Sequence, residues 1–92
     1  RYLDLKGKGS NEYREVVFPV NGNTRLTLSG RSVSEERTLQ IVDSLGNVVG
    51  EMNVDATLKT EAFEYAGSPA DLHIRSKKGG IRIYDIKAEQ LG

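Results

Sequence analysis

Apolar and polar residues alternate with a period of two along most of this 92-residue chain, and no other feature constrains its fold more. Leu26 and Leu28 lie between polar neighbours, and Leu72 and Ile74 repeat the pattern further along. Successive side chains of a strand point to opposite faces, so each such segment has one buried and one solvated face. No segment of about ten residues keeps the 3.6-residue period of an amphipathic helix.

Turn-forming residues divide the alternation into short segments. The predicted strands are residues 2–6, 12–20, 24–30, 37–43, 47–54, 58–65, 70–76 and 81–89. Short strands that recur between Gly, Asn, Asp and Pro clusters are typical of antiparallel sandwiches and barrels. We therefore predict an all-β protein, an antiparallel β-sandwich of the jelly-roll type with about eight short strands, in which residues 1–92 form one module.

Three segments predict how the strands connect. Asn21-Gly22 can supply the positive φ angles of a tight hairpin between the second and third strands. The segment from Asp43 to Asn47 predicts a second hairpin, between the fourth and fifth strands. Residues 31–37 are predicted to cross between the two sheets as a loop.

Two strands carry an irregularity. Pro19 cannot donate a ladder hydrogen bond, which places its strand at a sheet edge or Pro19 itself at a bulge. The last strand has apolar residues on both faces, with Ile81 and Ile83 on one and Tyr84, Ile86 and Ala88 on the other. A one-residue bulge near Ile83-Tyr84 would turn both sets inward; a strand buried on both faces is the alternative.

Composition excludes several classes of protein. Thirteen basic residues offset 13 acidic ones, which argues against bulk electrostatic binding to nucleic acid. No apolar run is long enough for a transmembrane helix, so we expect no membrane partner. Without cysteine, neither a disulfide framework nor a thiolate zinc site can form. Because the chain starts at Arg1 instead of Met, we expect it to be part of a longer polypeptide.

The charge is unevenly distributed along the chain. Residues 1–30 carry five basic and three acidic side chains, net +2, and residues 67–92 carry the same numbers. Residues 31–66 carry three basic and seven acidic side chains, net −4. The zero net charge is therefore a cancellation between basic ends and an acidic middle.

Few residues could support catalysis or hold a metal. The single histidine, His73, is predicted to face solvent and has no second imidazole or thiol to complete a metal site. Glu35 and Glu36 adjoin each other, whereas the paired carboxylates of glycosidases face each other across a cleft. The oxygen side chains near turns could suit calcium, but turn formation explains them without an ion: Asp43, Asn47, Asn53 and Asp55. We therefore predict a protein that is not an enzyme, with no catalytic residue, metal or cofactor.

The most distinctive local feature is a predicted basic hairpin over residues 71–84. Its candidate ligand-binding residues are His73, Arg75, Lys77, Lys78, Arg82 and Tyr84. Arg75 and Arg82 are expected to flank the turn and to lie near each other on one sheet surface. Arginine binds carboxylate in a bidentate manner, so a uronate polysaccharide would suit this cluster. A charged solvated face that protects a sheet edge from aggregation is the alternative.

Exposed aromatic side chains are the second requirement of most sugar-binding faces. The chain has no tryptophan, which disfavours a flat aromatic platform for a neutral glucan. The aromatic residues that could contact a sugar are Tyr2, Tyr13, Tyr65 and Tyr84, since Phe18 and Phe63 fit the core pattern. Half-buried tyrosines with solvated hydroxyl groups are the alternative.

Four segments carry a resemblance to a known group of modules. They are RTLQIVDSLGNVVG (37–50), FEYAG (63–67), DLHIRS (71–76) and GGIRIYDIK (79–87). Together they resemble small β-sandwich modules appended to bacterial pectate lyases and related polysaccharide-degrading enzymes. In those modules R-x-L-x-I-x-D-x-x-G precedes Y-x-G and a closing G-G/S-I-x-I-Y-x-I strand. The resemblance covers residues 14–88 and lies mostly in strand alternation and turn glycines.

The resemblance implies a non-catalytic carbohydrate-binding module of extracellular location. Its ligand would be a plant cell-wall polysaccharide, and an acidic, pectin-like polysaccharide is one such target. Its second partner would be a catalytic domain in the same polypeptide. It assigns no binding residue, because the matching positions are strand and turn positions. The alternative function is a structural or protein-interaction β-sandwich without glycan affinity.

Overall fold

The computed structural model describes residues 3–5, 15–33 and 35–91. Its strands are β1 (Leu3–Leu5), β2 (Glu15–Val20), β3 (Thr24–Ser32), β4 (Arg37–Val42), β5 (Val48–Val54), β6 (Lys59–Tyr65), β7 (Ala70–Ser76) and β8 (Ile81–Gln90). Each of the eight predicted strands has its counterpart. The predicted strand residues 2, 6 and 12–14 lie outside the described residues. Within the described ranges, no helix has the length and apolar character needed to cross a membrane.

The strands form two antiparallel four-stranded sheets that face each other. Sheet A has the order β1-β8-β3-β6, and sheet B has the order β2-β7-β4-β5. Only the β4–β5 connection joins two neighbouring strands of one sheet, while the other described connections carry the chain from one sheet to the other. This order is that of a jelly roll, so the predicted fold class is confirmed.

The core lies between the sheets and contains the inward residues of the alternation. Along β3, buried and half-buried positions alternate through all nine residues. The fully buried large side chains include Leu26, Leu28, Leu39, Ile41, Met52, Leu72, Ile74, Ile81 and Ile83. The outward positions of the same strands carry the polar and charged side chains, so the two outer faces are where chemistry can occur.

The predicted connections are confirmed with one exception. Asp43 to Asn47 forms the β4–β5 hairpin, and the chain crosses from sheet A to sheet B between Ser32 and Arg37. The crossing is shorter than the predicted loop 31–37, because β3 extends to Ser32 and β4 begins at Arg37. The hairpin predicted at Asn21-Gly22 is wrong, because β2 belongs to sheet B and β3 to sheet A. Gly22 does have a positive φ of 124°. A turn residue indicates only that the backbone reverses locally. Burial of the apolar faces determines whether the next strand joins the same sheet or the facing one.

Pro19 and the last strand behave largely as predicted. β2 is an edge strand of sheet B, which confirms the edge position of Pro19. In the β3–β8 pair, Ser29 faces Asp85 and Gly30 faces Ile83, so Tyr84 is the extra residue of a bulge. Ile86 is thereby turned to the core side, as predicted.

Tyr84 itself departs from the prediction that the bulge would turn it inward. Its hydroxyl group accepts a hydrogen bond from Arg31, a residue at a half-buried position of β3 that alternates with the core residues. The bulge needs a close approach of the two backbones, since a Cβ on Gly30 would lie 2.9 Å from the Arg82 carbonyl oxygen. Glycine at position 30 therefore permits the bulge that presents Tyr84 on the outer face.

Candidate ligand-binding surface

The predicted basic hairpin does not exist. β7 belongs to sheet B and β8 to sheet A, and residues 77–80 cross between them. Arg75 and Arg82 each lie between two buried residues of their strand, so each side chain points outward. Because the two strands belong to different sheets, the two arginines lie on opposite outer faces of the sandwich. The expected proximity of Arg75 to Arg82 is therefore wrong. Two strands with this alternation can pair in one sheet or lie in facing sheets with the same residues buried. The alternation therefore could not distinguish a hairpin from a crossing between sheets.

The structure divides the six predicted residues among three places. His73 and Arg75 lie on the outer face of sheet B, Lys77 and Lys78 lie in the crossing segment, and Arg82 and Tyr84 lie on sheet A. All but His73 are close to one end of the sandwich. At that end Ser32 faces Ile81, the Val33 N–H donates to the Gly80 carbonyl group, and the Lys77 N–H donates to the Thr38 carbonyl group.

On sheet B, the polar side chains engage one another across the strands. The register places Glu15, Arg75, Gln40 and Glu51 in one row across β2, β7, β4 and β5. Arg75 Nε donates to Gln40 Oε1 at 3.2 Å, and Gln40 Nε2 donates to Glu51 Oε2 at 2.6 Å. Gln40 is 8% exposed although it lies on the outer face, so its neighbours cover it. This row supplies its own charge compensation.

His73 lies in the next row of sheet B. Its Nδ1 is 3.0 Å from Glu15 Oε1, and its side chain is 31% exposed. The outward position confirms the prediction, although the neighbouring side chains leave it half-buried. Its cross-strand partners are Val17 and Val42, and Val48 follows Val42 in the same row. Val17 and Val48 are about half exposed, so the row around His73 is apolar.

Lys77 and Lys78 line an open depression at the end of the sandwich, together with Glu36, Arg37 and Thr38. Buried Ser76 holds the segment in place, because its hydroxyl group lies 3.0 Å from the Lys78 carbonyl oxygen and 2.7 Å from that of Gly79. Gly79 has a φ of +76°, a conformation that favours glycine. The Arg37 guanidinium group lies against Gly79, in the space that a side chain would need.

The charges around this depression are incompletely matched. Arg37 Nη2 forms an ion pair with Glu35 Oε1 at 3.1 Å and is only 20% exposed. Neither Lys77 nor Lys78 has an ion-pair partner among the residues that the structure describes. Two solvated ammonium groups therefore border an open surface, next to a guanidinium group that is already engaged.

On sheet A, Arg82 and Tyr84 meet a residue that the sequence analysis missed. Arg31 in β3 is the register partner of Arg82, and its Nε donates to Tyr84 Oη at 3.1 Å. Its guanidinium carbon lies 5.9 Å from the centre of the Tyr84 ring, within the range of a cation–π contact. The sequence analysis ended this strand at residue 30 and assigned Arg31 to the crossing loop, whereas β3 extends to Ser32. No signal in the sequence placed β3 beside β8.

The two arginines shift the ionisation of the phenol between them. The hydrogen bond from Arg31 is the largest effect that lowers the pKa of Tyr84, and burial opposes it. The charge of Arg31 and then the hydrogen bond and charge of Arg82 lower that pKa further. The positive charges of Arg31 and Arg82 thus favour the ionised form of the Tyr84 phenol.

The other tyrosines contribute less to a binding surface. Tyr65 packs against the core, and its hydroxyl group donates to the Ser68 carbonyl oxygen at 2.8 Å. Its hydroxyl is thus engaged within the protein. Tyr2 and Tyr13 lie outside the described residues.

The turn interpretation of the oxygen side chains is confirmed at two positions. Asp43 Oδ1 accepts hydrogen bonds from the N–H groups of Asn47, at 2.8 Å, and Leu45, at 2.9 Å. These bonds, that of Asn47 above all, lower the pKa of Asp43. Asp55 Oδ1 accepts a bond from the Thr57 N–H at 2.8 Å. In the part of the chain that the structure describes, no three His, Cys, Asp or Glu side chains are grouped as a metal would require.

The fold and its exposed polar faces define a small jelly-roll β-sandwich. Neither the protein-family models nor the curated proteins match this sequence. Among solved structures, the C-terminal CBM6 of LamC, a marine laminarinase from Zobellia galactanivorans, is similar to it with a TM-score of 0.57 and 16% sequence identity. The similarity covers 97% of this chain and 88% of that one. At this identity it establishes a shared fold.

Proposed function

We propose that this chain is a non-catalytic carbohydrate-binding module that holds a polysaccharide for an attached enzyme. The observation that carries the proposal is the open cationic depression of Lys77 and Lys78 at the end of a jelly roll. The fold similarity to a CBM6, which is a carbohydrate-binding module, supports the same function. The parent protein would be an extracellular polysaccharide-degrading enzyme of bacterial origin, with its catalytic domain in the same polypeptide.

The proposed ligand is an acidic plant cell-wall polysaccharide of the pectin type. Its uronate carboxylates recur along the chain, and Lys77 and Lys78 present two positive charges at adjacent positions of the crossing segment. An open surface suits a chain that lies across it, and it needs no chain end. Contacts of this exposed kind give modest affinity that decreases as salt is added.

The residues predicted from the sequence take different parts in this proposal. Lys77 and Lys78 form the polysaccharide contact, and Arg37 borders it. Arg75 remains a predicted contact on the outer face of sheet B, where it donates to Gln40. His73 remains a predicted contact on the adjacent face of sheet B. We propose no catalytic role, because Glu35 and Glu36 adjoin each other and Glu35 is engaged by Arg37. A role without glycan affinity, as a protein-interaction module, has no comparable observation in its favour.

Affinity electrophoresis tests the proposed function directly. We expect the protein to be retarded in gels that contain pectin and to migrate freely in gels that contain xylan or β-glucan. Salt should reduce the retardation, because it screens exposed charges. The double substitution Lys77→Ala and Lys78→Ala should weaken it several-fold.

Lys87→Ala is the matched control, since Lys87 is an exposed lysine of sheet A that lies 3.8 Å from Asp85. It should leave the retardation unchanged. Free migration of the unaltered protein in all three gels would exclude the proposed function. An equal effect of the lysine substitutions at both places would exclude the proposed location.

A further inference from the structure

We infer that the outer face of sheet B binds a second copy of this chain. The two copies lie face to face and are related by a two-fold axis that runs across the strands. This inference goes beyond the proposed function and does not depend on it.

An apolar row runs across all four strands of sheet B. The register places side by side Val17 of β2, His73 of β7, Val42 of β4 and Val48 of β5. Val42 is only 2% exposed, yet it lies outside the core cluster between the sheets, so its neighbours on the outer face cover it. Val17 and Val48 are half exposed and extend the row to both edges of the sheet. Exposed Pro19 lies two residues from Val17 on the same face of β2 and widens the apolar surface.

The outer face of sheet A has no such row among its described residues. The exposed large apolar side chains in the described ranges are Val17, Val33, Leu45, Val48 and Leu58. Val33, Leu45 and Leu58 lie in connections between strands, whereas Val17 and Val48 lie in strands of sheet B. A continuous apolar surface on one face of a small protein is typical of an interaction site.

The charges beside the apolar row determine which partner fits. Strand β7 presents Asp71, His73 and Arg75 in succession on the outer face, so a negative and a positive charge lie on opposite sides of the row. A second copy whose strands run in the reverse direction places the carboxylate of Asp71 opposite the guanidinium group of Arg75. Because the axis is two-fold, this contact forms twice.

The side chains of this pair are suited to the contact. Within the described ranges, the Asp71 carboxylate takes part in no ion pair. Gln40 holds Arg75 through Nε, so the Nη groups can donate to a carboxylate of the other copy. A two-fold axis along the strands would instead place Arg75 opposite Gln40 and form no ion pair. The charges therefore select the axis across the strands.

The size of the surface sets the strength of pairing. Four strands about 4.8 Å apart and three rows of outward residues about 7 Å apart cover roughly 400 Å² with their side chains. A standard interface buries about 800 Å² of each partner. We therefore expect a weak pair, with a dissociation constant of roughly 100 µM.

Pairing through this face is compatible with the proposed polysaccharide contact. Lys77 and Lys78 lie in the segment that crosses between the sheets, at the end of the sandwich. An axis across the strands places the two depressions at opposite ends of the pair, so both stay open. His73 and Arg75 are covered in the pair, and the polysaccharide contact is then made by the lysines alone.

Sedimentation velocity with exchanged charges tests the inference. From about 10 µM to about 1 mM, the unaltered protein should change from the mass of one chain to twice that mass. Arg75→Glu and Asp71→Arg should each abolish pairing over this range, because each places like charges opposite each other twice. An equimolar mixture of the two variants should pair again, since every contact between unlike chains then joins opposite charges.

A matched pair of valines tests the apolar row. Val17→Ser should weaken pairing at least about ten-fold, because the two-fold axis removes the apolar contact twice. Val33→Ser is the control, since Val33 has the same exposed fraction as Val17, 49%, and lies outside this face. It should leave pairing unchanged.

Three results would overturn the inference: a single chain mass at every concentration, no pairing in the mixture of folded charge variants, or equal effects of the two valine substitutions. Circular dichroism shows whether each variant is folded. Should a charge variant fail to fold, the valine comparison decides alone. Retardation in pectin gels depends on Lys77 and Lys78, so the proposed function stands or falls separately.

Discussion

The two outer faces of the sandwich contain the same kinds of residue and arrange them differently. On sheet B, Arg75, Gln40 and Glu51 form a hydrogen-bonded row, and Glu15 lies beside His73. On sheet A, one end has Arg25 between two glutamates, whereas the other end has Arg31 opposite Arg82. The first face places unlike polar groups beside each other, whereas one end of the second places two like charges opposite each other.

This difference shows that outward charge has two roles in so small a protein. A charge with a complementary cross-strand neighbour adds to the pairing of strands. A charge opposite a like charge lowers stability unless something else compensates it. A fold of this size has little stability to spare, so the repulsion between Arg31 and Arg82 should be measurable in the free energy of unfolding.

Gly30→Ala should disturb sheet A at the bulge beside Arg31 and Arg82. Of the substitutions considered, we expect it to lower the free energy of unfolding most. The added Cβ would lie 2.9 Å from the Arg82 carbonyl oxygen, a backbone atom that cannot move alone. We expect a loss of about 2 kcal/mol in the free energy of unfolding, measured by urea denaturation. Glycine to alanine in an ordinary strand would instead stabilise, so the sign is decisive.

The control for Gly30→Ala is Ser29→Ala, one residue earlier in β3. Ser29 bonds to the Thr60 hydroxyl group at 2.8 Å on the exposed face, and its loss should cost much less. Equal destabilisation by the two substitutions would show that the bulge does not depend on glycine.

Gln40→Ala tests the ordered row of sheet B, and its expected effect is smaller. Gln40 connects Arg75 to Glu51, and it is nearly covered by its neighbours. Its loss should lower the free energy of unfolding by about 1 kcal/mol, the usual value of a polar contact to charged groups near the surface. Gln90→Ala, at an exposed position at the end of β8, should change it little. Equal results for both would mean that the row contributes no stability.

The strands, the Asp43–Asn47 hairpin and the bulge could all be predicted because each is encoded locally. Alternation places a side chain inward or outward without reference to the rest of the chain. Ile86 could be assigned to the core from the slip in its own strand. Pro19 marked its edge strand because the missing N–H is a property of the residue itself.

The partners of each strand could not be predicted in the same way. The basic residues of 71–84 were correctly predicted to lie on the surface. They were wrongly placed together, because the predicted hairpin between their strands does not form. Arg31 was missed for the same reason, since it is 53 positions from Tyr84 in sequence. Burial of the inward faces against each other determines which strands pair, and that is a property of the whole chain.

The smallest expected effect is the most direct test of the comparison, and it lies in how stability responds to salt. Arg25→Gln removes two exposed ion pairs, so the unaltered protein should be slightly more stable at low salt, and added salt should close that difference. Arg31→Gln removes a repulsion along with the bond to Tyr84. Salt screens the repulsion in the unaltered protein, so the difference from Arg31→Gln should shift in favour of the unaltered protein as salt is added, by at most about 0.5 kcal/mol. Urea denaturation in 20 mM and 500 mM salt, in which the Debye length is about 20 Å and about 4 Å, measures both differences. Salt responses of the same sign would mean that Arg31 is compensated within the fold, as Arg25 is.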